Sequence, residues 1–439
     1  MPKPTPNTLC AGIHECRGRV GILDRKANSS QCSDIGNQQG SLMHTRYRYV
    51  IWFVAALFVV YSFCLNTASA VFAQAIKTSL NIDNFSVSIA MSSFIIGFAC
   101  MQIPAGYLLD KFNARFVVSS GILLLALGNV LVSYSENITL FTLSNFLQGV
   151  GASFAFISAA VLISQWFSEK QFPILFGLIQ GVSCTLAGIL HYYFTLALNT
   201  HSWNEIYRSL SFFGFSLFLL SLLIIKSPSG HKREKRYSLR QSLKIVLKNR
   251  QIVLCSIACA TSFGILLAYA GLWYLKIETY YSLANLQAMV ISGLIFIGIG
   301  IGTPLLGWIS NKIKSRVLVI HVTLCLGTMA LLLGIYLPHF NLNTLIIIHI
   351  ISFLIGFFLS GSMLFYTLVS EHSTDATRGV SISVLNTAVF LFNSLMMFIP
   401  YLFITKLSQD FFTYLWVLPF FILLSILILY FIKDSSPSQ

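Results

Sequence analysis

Two short polar turns hold most of the residues in this chain that could do chemistry. The first reads Gly106-Tyr-Leu-Leu-Asp110-Lys111-Phe-Asn113-Ala-Arg115, the second Gly307-Trp-Ile-Ser-Asn311-Lys312-Ile-Lys314-Ser-Arg316. Gly, Asp or Asn, Lys and Arg fall at the same offsets, and Pro104 and Pro304 lie just upstream. A carboxylate such as Asp110 is stabilised by a helix N-terminus or a nearby cation, so its chemistry here is electrostatic. Bond-making chemistry finds little support. There is no Gly-x-x-x-x-Gly-Lys-Ser/Thr loop to cradle a nucleotide and no metal-ligand cluster within the apolar runs, so neither an enzyme nor a cofactor is expected.

The elements that position these turns follow from composition. Hydrophobic residues make up 56% of the 439 and charged residues 10%, against roughly 25% charged in a soluble chain. Apolar runs of 18 or more residues span membranes as helices, because lipid offers the backbone no hydrogen-bond partner. Twelve such runs are expected, near 50–73, 87–109, 116–134, 138–166, 174–198, 208–226, 251–274, 284–309, 317–337, 342–369, 380–404 and 412–432. The repeated turn follows the second and the eighth, which are equivalent places in two sets of six. The fold class is therefore an all-α integral membrane protein of twelve transmembrane helices in two six-helix bundles. The bundles are expected over 43–226 and 251–439, joined by a basic linker, 227–250.

Basic residues give the orientation. With the N-terminus inside, only Lys77, Arg208, Lys276 and Lys406 of the 28 Lys and Arg fall outside, as the positive-inside rule requires. The net charge of +14 is then a topology signal, and nucleic acid is not an expected partner. Leu239, Leu243, Ile245 and Val246 sit at helical spacing among the linker's basic residues. They predict a short amphipathic helix on the anionic inner lipid surface, with a solvated linker as the alternative. Residues 1–42 form a polar extension containing Cys10, Cys16 and Cys32. It is expected to be disordered or to lie upstream of a true start at Met43. The other six cysteines are expected to be small packing residues.

Two six-helix halves and the turn after the second run resemble the major facilitator superfamily. Asn145-Phe-Leu-Gln148-Gly149-Val-Gly151-Ala152 in the fourth run resembles that family's second signature. The resemblance covers about residues 43–433. It implies that Asp110 meets the start of a helix in the other half when the transporter is open outward. Gly106 would allow close helix approach, and Lys111 and Arg115 would anchor the loop at the headgroups. Several positions depart from the family pattern. Asn113 stands where the family usually has Gly, and Asn tolerates the left-handed backbone. Asn311 and Lys314 replace the acid and the Gly in the second copy, which implies a weaker second gate beside Lys312 and Arg316. Asn145 stands where an Arg linked to proton coupling is frequent. Gly177-Leu-Ile-Gln180-Gly181 lacks the proline of drug-exporting antiporters. These departures favour uptake.

The run interiors hold no Asp, Glu, Lys or Arg. A charge there costs about 2.5–3.5 kcal/mol on insertion scales, so charged residues at mid-membrane are usually functional. A central site must then be lined by amides, hydroxyls and aromatics. Candidates are Tyr61, Asn66, Gln102, Asn145, Gln148 and Gln180 in the first half, with Tyr269, Trp273, Tyr274, Gln287, Asn386 and Asn393 in the second. Helix–helix hydrogen bonding is the competing role for each. His191, Glu278 and His349 are candidates for proton coupling. Gln165-Trp166-Phe167-Ser-Glu-Lys is loosely similar to transporters of organic anions and of lysosomal dipeptides.

The expected function is secondary active transport of a small polar solute (an amino acid, short peptide or small organic anion). The chain is expected to act as a monomer in a bacterial cytoplasmic membrane, both termini inside, driven by protons in the uptake direction. The alternatives are export of a siderophore or toxic amphiphile, or a non-transporting membrane sensor.

Overall fold

The computed structural model describes residues 24–226, 237–270, 285–336, 345–404 and 416–435. Every regular element in them is helical. They are α1 (Asp24–Leu80), α2 (Asn84–Lys111), α3 (Ala114–Ser133), α4 (Ile138–Trp166), α5 (Phe172–Ala197), α6 (Trp203–Ile224), α7 (Leu239–Lys248) and α8 (Arg250–Ala268). The second half continues with α9 (Asn285–Ile313), α10 (Arg316–Tyr336), α11 (Leu345–Leu359), α12 (Leu364–His372), α13 (Arg378–Ile404) and α14 (Val417–Leu429). A 3-10 turn, Ser360–Met363, joins α11 to α12, so the tenth apolar run is one span with a tightened middle.

Ten helical segments are long and apolar enough to cross a membrane, and two shorter apolar helices, Phe172–Ala187 and Val417–Leu429, bring the described segments to the twelve expected. α1 begins upstream of Met43 and carries its apolar span over Arg46–Asn66. The extension's Cys10, Cys16 and Cys32 lie outside the described side chains, as does the linker over 227–236.

The helices start where local chemistry can satisfy their free N–H groups. Asp83 caps α2, Asn137 caps α4 and Asn249 caps α8. Reciprocal capping boxes, Ser202 with Glu205 and Ser238 with Gln241, open α6 and α7. α7 is the amphipathic helix expected in the linker. It buries Ser242 and Val246 and exposes Ile245 and Leu247 among Arg240, Lys244 and Lys248.

The two halves repeat the same packing. α4 lies between α2 and α3, and α3 packs on α6; in the second half α11 lies between α9 and α10, and α10 packs on α14. Glycines set the closest approaches. A Cβ on Gly149 would enter the backbone of α2 at Phe94, and one on Gly356 would enter α9 at Ile295. These are equivalent crossings of equivalent helices, the expected geometry where small residues replace a hydrophobic driving force. The halves meet along two seams, α2 against α13 and α5 against α9.

Candidate functional site

The first seam is a ladder of residues at helical spacing. Phe98, Gln102, Gly106 and Asp110 of α2 face Phe390, Asn386, Ser383 and Gly379 of α13. The Phe98 and Phe390 rings meet edge-on with centroids 4.9 Å apart. Asn386 Nδ2 donates to Gln102 Oε1 at 3.0 Å. A Cβ on Gly106 would strike the Ser383 hydroxyl and the Gly379 carbonyl, so only glycine permits this crossing. At the end of the ladder Asp110 takes two of the free N–H groups at the start of α13. Gly379 N donates to Oδ1 at 2.7 Å and Val380 N to Oδ2 at 2.9 Å. A carboxylate on two backbone donors at a helix N-terminus combines charge-assisted hydrogen bonding with the helix dipole.

The second seam has the same design with a different latch. Pro173, Gly177 and Gly181 of α5 face Gly307, Thr303 and Gly300 of α9. Thr303 Oγ1 donates to the Gly177 carbonyl at 2.9 Å. Where Asp110 stands in the first copy, Asn311 Nδ2 donates across the seam to the Lys170 carbonyl at 2.5 Å. Asn311 Oδ1 is held by Arg316 Nη1, also at 2.5 Å. Arg316 is fully buried and ion-pairs with Glu371 at 3.2 Å. The charge opposing Arg316 therefore comes from the end of α12 rather than from position 311.

The two turns also differ in backbone. Asn113 does not use the left-handed conformation that Asn tolerates at the family glycine's place. It is instead extended, with φ −66° and ψ 124°, and its side chain caps α3 by accepting from Arg115 N. Cap formation needs an extended residue, so the side chain decides the conformation. The equivalent Lys314 is the left-handed one, at φ 60°.

An aromatic cluster also joins the two halves. Phe156 of α4, Phe176 of α5 and Tyr366 of α12 have centroids 4.6 to 5.5 Å apart. Tyr366 donates to Asn386 Oδ1 at 2.6 Å, which orients that amide toward Gln102. Side chains of both halves thus meet in this cluster.

The other sequence candidates divide. Asn386 lies on a seam. Gln180 is buried one turn along α5 from Phe176, and its Nε2 lies 3.1 Å from Cys184 Sγ. Asn145 is fully buried, with Nδ2 on the Phe141 carbonyl and Oδ1 without a partner. Gln148 turns into the first bundle, where it donates to Asn129, which in turn donates to Ser211 and the Tyr207 carbonyl. Tyr61 packs there too, against Phe213 and Gly214. Asn66 is exposed on α1, and Tyr269 is buried beside Gly334. His349 has its Nε2 buried without a hydrogen-bond partner. Lys111 and Lys312 rest over the rings of Tyr107 and Trp308, and Arg115 over Phe116. Trp273, Tyr274 and Glu278, and the side chain of His191, lie outside the described residues.

Two six-helix halves meet along two seams, and at each a residue of the repeated turn bonds to the main chain of the other half. The sequence profile of the Major Facilitator Superfamily matches residues 53–397. The chain belongs to the major facilitator superfamily. Superfamily members are transporters and not enzymes, and the chain is a multi-pass membrane protein. Similar curated proteins include the multidrug resistance protein MdtL of Escherichia fergusonii. It is 26% identical over 171 residues, which are 37% of this chain and 44% of that protein. MdtL of Escherichia coli is 24% identical over 168 residues, 37% of this chain and 43% of that protein. The match thus spans less than half the length of these relatives. Among solved structures, the proton:xylose symporter XylE bound to 6-bromo-6-deoxy-D-glucose has a TM-score of 0.67 at 15% identity, covering 90% of this chain and 98% of that one. A double-tryptophan mutant of XylE gives 0.69 at 15% identity, with 90% and 97% covered. At that identity the likeness concerns the fold.

Sequence reasoning missed Tyr366, Phe156, Phe176 and the Gly379–Ser383 pair as contacts between the halves. The small residues at i and i+4 around the start of the eleventh run were a usable signal for the last. Nothing in the sequence singled out the aromatics from the chain's 37 phenylalanines.

Proposed function

We propose that this superfamily member is a secondary active carrier that works by alternating access in a bacterial cytoplasmic membrane, with the basic end facing the cytoplasm. It takes up a small polar solute (an amino acid, a short peptide or a small organic anion) together with protons, as a monomer. The observation that carries this reading is the pair of latches. One side chain of each repeated turn, Asp110 and Asn311, crosses to the main chain of the other half at the same end. Bonds of this size, each about 1–3 kcal/mol, hold an end shut and still release on a working timescale. Hypothesis: breaking both opens the basic end, and re-forming them exposes the opposite end.

The polar class of the solute rests on the span interiors, which offer buried amides such as Asn145, Gln102 and Gln180 in place of charges. Anionic lipid headgroups under Arg240, Lys244 and Lys248 would hold α7 at the cytoplasmic surface. Export of a toxic amphiphile is the second reading, favoured by the names of the MdtL relatives. Labelled solutes offered to vesicles with and without a pH gradient test the proposal. Gradient-driven accumulation supports uptake. Extrusion from preloaded vesicles, without accumulation, would replace it by export.

A further inference from the structure

The second copy of the turn lacks both of the groups that organise the first. Asn311 stands in place of the acid, and Lys314 stands in place of the capping Asn113. The capping is nonetheless done by a residue of the segment after α14, while Asn311 itself makes the bond across the seam and Glu371 of α12 supplies the acid opposite Arg316. Asp434 Oδ1 accepts from Arg316 N at 2.9 Å and Val317 N at 3.4 Å, the first N–H groups of α10. Its Oδ2 takes the Ser315 hydroxyl. Ser435 donates to Glu371 Oε2, leaving Oε1 for Arg316. The segment is itself held in place. Lys433 N donates to Gln251 Oε1 at 2.8 Å, Gln251 Nε2 donates to the Phe431 carbonyl at 3.3 Å, and His372 Nε2 lies 3.1 Å from the Lys433 carbonyl.

The bonds form a continuous path to the other half. Asp434 fixes the main chain of Arg316, and Ser435 and Glu371 fix its guanidinium. A guanidinium only donates, so it must bind the oxygen end of the Asn311 amide. The nitrogen end is then turned outward, onto the Lys170 carbonyl across the seam. An amide free to flip would present oxygen to oxygen half the time and latch nothing. A carboxylate at 311 would repel that carbonyl, so Asn suits this latch where Asp suits the other.

We propose that Asp434 and Ser435 are positioning residues of the second latch: the segment after the last helix holds Arg316 and Glu371 so that Asn311 closes the α5–α9 seam. The inference rests on the carrier reading above.

The test uses the full chain in membranes, with native cysteines replaced. Cysteines are introduced as Lys170→Cys and Lys312→Cys, and their cross-linking by a short bismaleimide reports closure. Asp434→Ala with Ser435→Ala is expected to slow cross-linking about ten-fold at unchanged melting temperature. Asp434→Glu, which keeps the carboxylate, is expected to restore it. Asp110→Asn serves as the control that opens the same end through the other seam. If Asp110→Asn slows cross-linking and the tail variants do not, the tail proposal is overturned and the carrier reading stands. If no variant moves it, both fall. A slowing matched by lost thermal stability and not rescued by Asp434→Glu also overturns the proposal, because it marks a merely structural role.

Discussion

Gly106 and Gly379 occupy each other's missing side-chain space: a Cβ on either would run into the carbonyl of the other. Two helices from different halves therefore approach backbone to backbone one turn before Asp110 reaches the start of α13. The close approach brings the carboxylate within reach of two N–H groups at 2.7 and 2.9 Å.

Gly106→Val should hold the basic end open. The added methyls need room that only separation of α2 from α13 provides, and overpacking of this kind costs about 1–3 kcal/mol. Cysteine labelling from the basic side should rise several-fold while transport falls. Unchanged labelling at normal expression would contradict the crossing.

Asp110→Asn should weaken the same latch without a steric change. One amide can accept through a single oxygen and carries no charge for the helix dipole, a loss of about 1–2 kcal/mol from the closed state. Roughly a ten-fold shift toward the open basic end follows. Insertion and melting temperature in detergent should stay near wild type, and transport by reconstituted protein should drop. Full transport by this variant would remove the latch role.

Glu371→Gln leaves Arg316 buried without its counter-charge. Breaking a buried pair costs about 3–5 kcal/mol, so this variant should be the least stable of the series. Its thermal midpoint should fall well below that of Asp110→Asn. A midpoint equal to wild type would mean that Arg316 finds enough compensation in Ser310 and Asn311 alone.

Lys314→Gly should stabilise. The lysine holds a left-handed backbone at φ 60°, a conformation that costs a non-glycine residue about 1–2 kcal/mol. Glycine removes that cost and gives back part of it through greater freedom in the unfolded chain. A thermal midpoint a few degrees higher is expected, and a lower one would show that contacts of the lysine side chain outweigh the strain.

Tyr366→Phe removes the hydroxyl that orients Asn386 and leaves Oδ1 of that amide short of a donor. The expected loss is about 1–3 kcal/mol, with the aromatic packing against Phe156 and Phe176 intact. A double-mutant cycle with Asn386→Ala should give a coupling energy well above zero, and additivity would break the proposed link.

The architecture was legible because span number is a matter of run length, and length is written in the sequence. Asp110 stood out for a related reason: topology asks for basic residues at that turn and gives an acid nothing to do. The rest depended on distances between segments far apart in the chain. Gly177 and Gly181 looked like a fragment of a helix-5 motif missing its proline, whereas they are the flat face against which Thr303 and Gly300 pack. Gln148, polar and mid-helix, suited a central site or a helix–helix bond equally by sequence, and its bond to Asn129 is of the second kind. Asn113 shows the limit of reasoning from a family glycine, since its own side chain had a better use for an extended backbone. Asp434 carried no local signal, because its partners lie 117 to 119 positions away.

Both cross-seam latches end on main chain: Asp110 on the amides of residues 379 and 380, Asn311 on the carbonyl of residue 170. The receiving half therefore has no side chain to lose. Drift at 170 and 380 leaves the bond in place, except for proline at 380, which deletes a donor, whereas 379 is held to glycine by the approach of Gly106 and Asp110. A damaged latch also has no compensating substitution opposite it, so heritable tuning of how firmly this end shuts falls on the two turn residues and the groups that steer them.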